Sequence, residues 1–235
     1  MVNIITPKTW FHSFDIWGVL LDNARASRGE LVLYEEFAGK QRVSAEQVRT
    51  NLEMYRKAMS GKVTGPEKAR LLEPINTFVN TQFRNNPEFR QRSLAEMKKC
   101  FYDDTIKTIE EILHSGERVA LFTSAISESA NAAFHDKHPY LAGTIGVPYA
   151  WGKDVEGFKM LEQAIANRGS ALATHTEDEQ KYVDEALKSK VYQRGVVFAD
   201  RKKVVLLELY PDRGTKGITV ARDLRTIDYR TLARR

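Results

Sequence analysis

Cysteine is almost absent. Cys100 stands alone among 235 residues, which excludes an internal disulfide and a multi-cysteine metal site and suits a reducing compartment. Also missing is any apolar run near the roughly 18 residues that a membrane span needs. The N-terminal stretch lacks the charged-then-apolar pattern of a secretory leader, so the expected location is cytoplasmic, with no membrane partner. A dense basic stripe is lacking too. The formal net charge is +5, with short clusters only at Arg201-Lys202-Lys203 and Arg234-Arg235, so nucleic acid is not an expected partner. The five histidines show no metal-ligand spacing, and neither repeats nor low-complexity tracts occur. What remains, with 42% hydrophobic residues, is the composition of a folded chain of one medium domain or a domain with a sizeable insertion.

Read in order, the chain opens with an apolar, strand-like approach, Trp10, Phe11 and Phe14, that runs into Asp15, with Gly18 marking a tight loop. For about seventy residues afterwards only helical periodicity is present. Leu31, Tyr34, Phe37 and Ala38 share a face that Gly39 is placed to stop. Ser44 with Gln47 forms a capping-box pattern ahead of Val48, Leu52, Tyr55 and Met59. Leu71, Ile75, Phe78 and Val79 give a third helix, around Pro74. From Ser93 an alternating plan returns. Phe101, Ile106, Ile109 and Leu113 make a helix face, and Val119 to Phe122 a buried-strand run ending at Thr123-Ser124. A helix is predicted over Ser127 to Phe134, and a brief strand at Ile145-Gly146-Val147. Then come Trp151-Gly152-Lys153-Asp154 and a helix with Phe158, Leu161 and Ile165. Thr176 with Glu179 has the spacing of another capping box, ahead of Val183, Leu187 and Val191. Gly195 to Asp200 repeats the motif of an apolar strand ending in an acid. Val204 to Leu209 fits helix or strand, and Gly217 to Val220 a last strand. Strands separated by helices imply an α/β fold with a doubly wound parallel sheet, and the helical block an inserted domain. The division is 1–22 with 93–235 for the core and 23–92 for the insertion.

Strand ends in such sheets converge on one crevice, and four polar residues lie at predicted strand ends or just beyond: Asp15, Thr123, Lys153 and Asp200. The run Asp15-Ile16-Trp17-Gly18-Val19-Leu20-Leu21, then Thr123, Lys153 and Asp200 in that order, resembles the four motifs of the haloacid-dehalogenase-like (HAD) superfamily over nearly the whole chain. The helical block falls where that family carries its first-type cap. The resemblance implies a Rossmann-like core and a hydrolase in which Asp15 is the nucleophile. Lys153 would keep Asp15 ionised, with Lys159 as the competing lysine. Thr123, Ser124, Gly18 and Trp17 would face substrate oxygens. Magnesium would be held by Asp15, the Trp17 carbonyl and Asp200, and the expected partner is a small-molecule substrate, first of all a phosphate ester.

Trp17 departs from the pattern, because phosphatases of the family carry a second Asp there as general acid and indole has no titratable proton to give. An aromatic at that position is similar to the 2-haloacid dehalogenases, whose halide leaves unprotonated, so a metal-independent dehalogenase is the alternative. Arg201 and Lys202 after Asp200 leave the last motif short of acids, which keeps open a catalytically silent binding protein of the same fold.

Overall fold

The computed structural model describes residues 9–60, 62–63, 65–123, 128–141, 144–146, 152–200, 203–210, 214–221 and 224–229. Ser124 and Trp151 lie outside them. The chain divides into an α/β unit, Met1–Asp22, Phe101–Ser127 and His138–Arg235, and a helical unit, Asn23–Cys100 and Glu128–Lys137.

The α/β unit is built on seven strands: β1 (Trp10–Phe14), β2 (Arg118–Leu121), β3 (Thr144–Gly146), β4 (Ala171–Glu177), β5 (Gly195–Asp200), β6 (Lys203–Tyr210) and β7 (Gly214–Ala221). They run in the order β3-β2-β1-β4-β5-β6-β7. The first five are parallel, whereas β6 and β7 return antiparallel. The run at 204–209 is therefore a strand, and a meander extends the parallel sheet. Asp200 opposes Lys203 across the β5–β6 hairpin. Helices α7 (Val155–Ala166) and α8 (Gln180–Ser189) pack Phe158, Leu161, Ile165, Val183 and Ala186 into a core with Phe11, Leu172 and Val196. Helix α5 (Asp103–His114) packs against β2 and against a 3₁₀ turn at Leu224–Thr226.

β4 has no counterpart in the apolar pattern. Thr176, which has the spacing of a helix cap, is the penultimate residue of this strand, and α8 begins only at Gln180. The strand escapes hydrophobic patterning because His12 and Ser13 of β1 and Tyr229 meet its Thr174, His175 and Thr176 with polar atoms. A polar strand is tolerated at the centre of a sheet when its side chains find partners there.

The helical unit contains α1 (Asn23–Lys40), α2 (Ala45–Met59), α3 (Gly65–Asn85), α4 (Pro87–Lys98) and α6 (Glu128–Lys137). Gly39 lies inside α1, and Arg42 instead takes the left-handed conformation after the helix, φ 59°. The predicted cap is present at α2, where Ser44 Oγ accepts the Gln47 N–H at 3.1 Å. Pro74 sits within a continuous α3. Phe37, Phe83 and Phe89 are buried together with Ile75 and Val79. The unit runs through Cys100 rather than to residue 92, since α4 packs on α1, and α6, expected in the core, packs on α4. Among the described residues no helix is long and apolar enough to cross a membrane.

Candidate active site

The site grows from the carboxyl ends of three adjacent strands. Phe14 pairs with Leu121 on one side and Thr176 on the other. The ladder continues one step further: the Phe122 N–H donates to Phe14 O at 2.8 Å and the Asp15 N–H to Thr176 O at 2.9 Å. Asp15 is thereby flanked by the segment entering Thr123 and by the end of β4. Both Asp15 and Thr123 are buried. Beyond Asp15 the chain closes a tight turn in which Ile16 O accepts the N–H groups of Leu20 and Leu21, and Leu21 O accepts that of Gly18.

Gly18 has φ +84°, and a Cβ there would fall 1.8 Å from Asp178 Oδ2. Only glycine permits that conformation together with so close an approach. Its observed neighbour is therefore a carboxylate. Trp17 is partly buried, and its indole Nε1 is enclosed with no hydrogen-bond partner among the described residues.

Lys153 reaches the cluster from the turn before α7. Gly152 takes φ +69°, and Asp154 caps the helix by accepting the Gly157 N–H at 2.9 Å. Lys153 Nζ lies 2.9 Å from Asp15 Oδ1 and 2.5 Å from Glu177 Oε2, with the Tyr182 ring 4.3 Å away. Lys159, the competing lysine, is exposed and paired with Glu156. Asp15 and Lys153 are thus brought together, with Thr123 at the neighbouring strand end.

Asp200 ends β5, which is two strands removed from β1. Among the described residues the acids that adjoin Asp15 are Glu177 and Asp178. Oxygens of Asp15, Glu177 and Asp178 lie within 4.8 Å of one another. The sequence signal for them was the Glu177-Asp178 pair itself, concealed because β4 has no apolar run.

Three acids around one ammonium cannot all ionise cheaply at low dielectric. Burial raises Asp15 well above the usual carboxyl range; Lys153 opposes that, and Glu177 and Asp178 add to it. Burial and then Glu177 push Asp178 up to about 7. Glu177 goes the other way. Burial acts to raise it, but His175 and Lys153 bring it down to about 2, and its Oε1 accepts the N–H groups of Asp178 and Glu179 at 3.1 and 3.2 Å. Lys153 is held above its ordinary value because Asp15 and Glu177 outweigh the burial that would lower it. Glu177 is accordingly the fixed carboxylate of the cluster, and Asp15 and Asp178 carry the unmet charge. An all-oxygen set short of positive charge fits a magnesium ion.

No family model matches the sequence, and no curated protein does. Solved structures similar to it include a haloacid dehalogenase-like hydrolase from Burkholderia xenovorans LB400, at 12% identity over 82% of this chain and 83% of that one, TM-score 0.49. Another is the HAD-hydrolase YfnB from Bacillus subtilis bound to magnesium, at 14% over 79% and 88%, TM-score 0.44. A third is L-2-haloacid dehalogenase from Xanthobacter autotrophicus, at 11% over 81% and 77%, TM-score 0.45. An acid at the end of the central parallel strand, a lysine and an acid pair beside it, and helices inserted directly after the first strand make an α/β core with an inserted helical unit, the arrangement that the sequence resemblance to the haloacid-dehalogenase-like superfamily implies.

Proposed function

We propose that the chain is a hydrolase that works through a covalent intermediate on Asp15 and acts on small phosphate esters. The observation that carries this reading is Lys153 Nζ at 2.9 Å from Asp15 Oδ1, inside a cluster with Glu177 and Asp178. In the first step an Asp15 oxygen forms a bond to phosphorus, the bond to the leaving oxygen breaks, and the electron pair departs with the leaving group. In the second, water displaces Asp15 from phosphorus, so one difficult displacement becomes two easier ones. Lys153 orients Asp15 and stabilises its ionised form, and Thr123 at the adjacent strand end is placed to meet a substrate oxygen. Asp15 and Asp178 would hold magnesium, which supplies positive charge to the phosphoryl oxygens when bound.

Trp17 sets the substrate class within this reading. With indole in place of a carboxylic acid, the leaving oxygen receives no proton from that position. Acidic leaving groups, as in aryl and acyl phosphates, are therefore favoured over simple alkyl phosphates. Turnover of an aryl phosphate series with magnesium should rise steeply with leaving-group acidity, and Asp15→Asn should abolish it. Equal activity in that variant would end the proposal. The indole also suits a metal-independent dehalogenase. Halide release from short 2-haloacids in the presence of a chelator would move the assignment there, although two further acids beside Asp15 argue for an added cation.

A further inference from the structure

We propose that Tyr182 is a positioning residue whose ring face closes over the Lys153 ammonium and holds that charge between Asp15 and Glu177. The catalytic meaning of this role rests on the hydrolase reading, whereas the contact itself stands apart from it.

Tyr182 lies in the first turn of α8, where its N–H donates to Glu179 O at 3.0 Å. The next residue, Val183, is buried in the core together with Ala186, so the start of the helix has a fixed seat. The residues before it are fixed as well, since Glu177 Oε1 accepts the N–H groups of Asp178 and Glu179. One short segment therefore meets Lys153 twice. Glu177 Oε2 accepts from Nζ at 2.5 Å, and the Tyr182 ring centroid lies 4.3 Å from the same nitrogen. Asp15 Oδ1, just past β1, completes the set as an ion pair at 2.9 Å.

The Lys153 side chain is only 1% exposed, so bulk water neither hydrates nor screens its ammonium. A buried cation walled by an aliphatic side chain would lose its hydration with nothing in return. A fourth carboxylate would add to the repulsion among Asp15, Glu177 and Asp178 and compete with Asp15 for the ammonium. The face of an aromatic ring avoids both faults. It is neutral, it keeps water out, and its quadrupole attracts a cation within about 6 Å of the centroid, most strongly where the pair is desolvated. Lys181 marks the contrast: it is exposed and 5.2 Å from the same centroid, where solvent weakens the attraction. Without the ring, Lys153 keeps its hydrogen bond to Glu177 while water enters beside it, and the longer ion pair with Asp15 is the contact that loosens.

The test has two arms. In spectra of the lysine-labelled native chain, the Lys153 ε-methylene protons should be shifted upfield by the ring current and its ammonium protons should exchange slowly enough to be seen, the assignment resting on their loss in Lys153→Arg. Tyr182→Phe should keep both signatures and Tyr182→Leu should lose both, whether or not any substrate is turned over. Unshifted Lys153 protons in the native chain, or slow ammonium exchange that persists in a folded Tyr182→Leu, would overturn the proposal and leave the hydrolase reading untouched. In the second arm, on an aryl phosphate with magnesium, Tyr182→Phe should stay close to the native kcat, and Tyr182→Leu should fall about 3- to 30-fold below it with little change in KM. Mono-, di- and trifluorinated phenylalanine at position 182 keep the shape of the ring while withdrawing electron density from its face, so kcat should drop with each added fluorine. A flat fluorine series, or a loss confined to KM, would overturn the proposal, and because these variants preserve the packing the series decides even if Tyr182→Leu fails to fold.

Discussion

The carboxylate of Asp15 is the residue on which the chemistry depends. Asp15→Asn keeps the shape of the side chain and removes the nucleophile, so kcat should drop by at least about 10³-fold while the melting temperature holds or rises, as burial of a charge is relieved. Assay and thermal melt on the same preparation check both halves. Gly18→Ala is expected to act through Asp178. Positive φ costs a residue with a Cβ about 1–2 kcal/mol, and the 1.8 Å approach of Asp178 Oδ2 forces that carboxylate aside, so magnesium titrations should show a weaker half-saturation. The positions of Asp15 and Lys153 were legible because an apolar run, or a glycine turn before a helix, announced each. Asp178 was not, because nothing in Thr174-His175-Thr176-Glu177-Asp178 alternates in polarity. His12 shows the same limit. With no ligand spacing it carried no sequence signal, yet it is buried between Glu117 and Thr174, 2.5 and 2.8 Å away. A histidine's partners come from other strands, and pairing register is a property of the folded sheet.

Among the elements, β4 and β5 compete for the role of the last acid-bearing strand. β5 has the apolar sequence and the terminal acid, whereas β4 has the place beside β1. Asp200→Asn should therefore leave turnover within a few-fold of the native chain and Asp178→Asn should lose the response to magnesium, an order that steady-state assays with graded magnesium will show. Apolar patterning identified β1, β2 and β5, whose apolar residues are mostly buried, and it marked β7 as well. It could not see a strand whose polar groups are paired internally, nor choose between helix and strand for 204–209. In the helical unit, Phe89 meets Phe37 edge-to-face at 5.0 Å and is fully buried. Phe89→Ala is expected to cost about 3–5 kcal/mol, read as a drop in denaturant midpoint.

For the whole molecule, the acid cluster sets how stability answers to pH. Asp178 has a folded value of about 7 against an ordinary 3.8, so the native state holds its proton more tightly than the unfolded chain and stability falls as pH rises through that interval. Glu177, brought down to about 2 from 4.5, contributes stability that is full above its ordinary value and fades as pH falls toward 2. In chelator, the melting temperature of the native chain should decline between about pH 4 and about pH 7 relative to Asp178→Asn, and added magnesium should restore it most at the upper end. Flat, parallel curves for the two proteins would dismiss the cluster as a source of strain. The division of the chain has a consequence for its birth on the ribosome. Since α6 lies beyond β2 in sequence but packs on α4, the helical body cannot finish assembling when Cys100 emerges from the exit tunnel. It must wait for another strand and for Lys137, and until then α4 shows nascent-chain chaperones a bare face, so a polypeptide halted at Cys100 should be captured by them and one extended past Lys137 released.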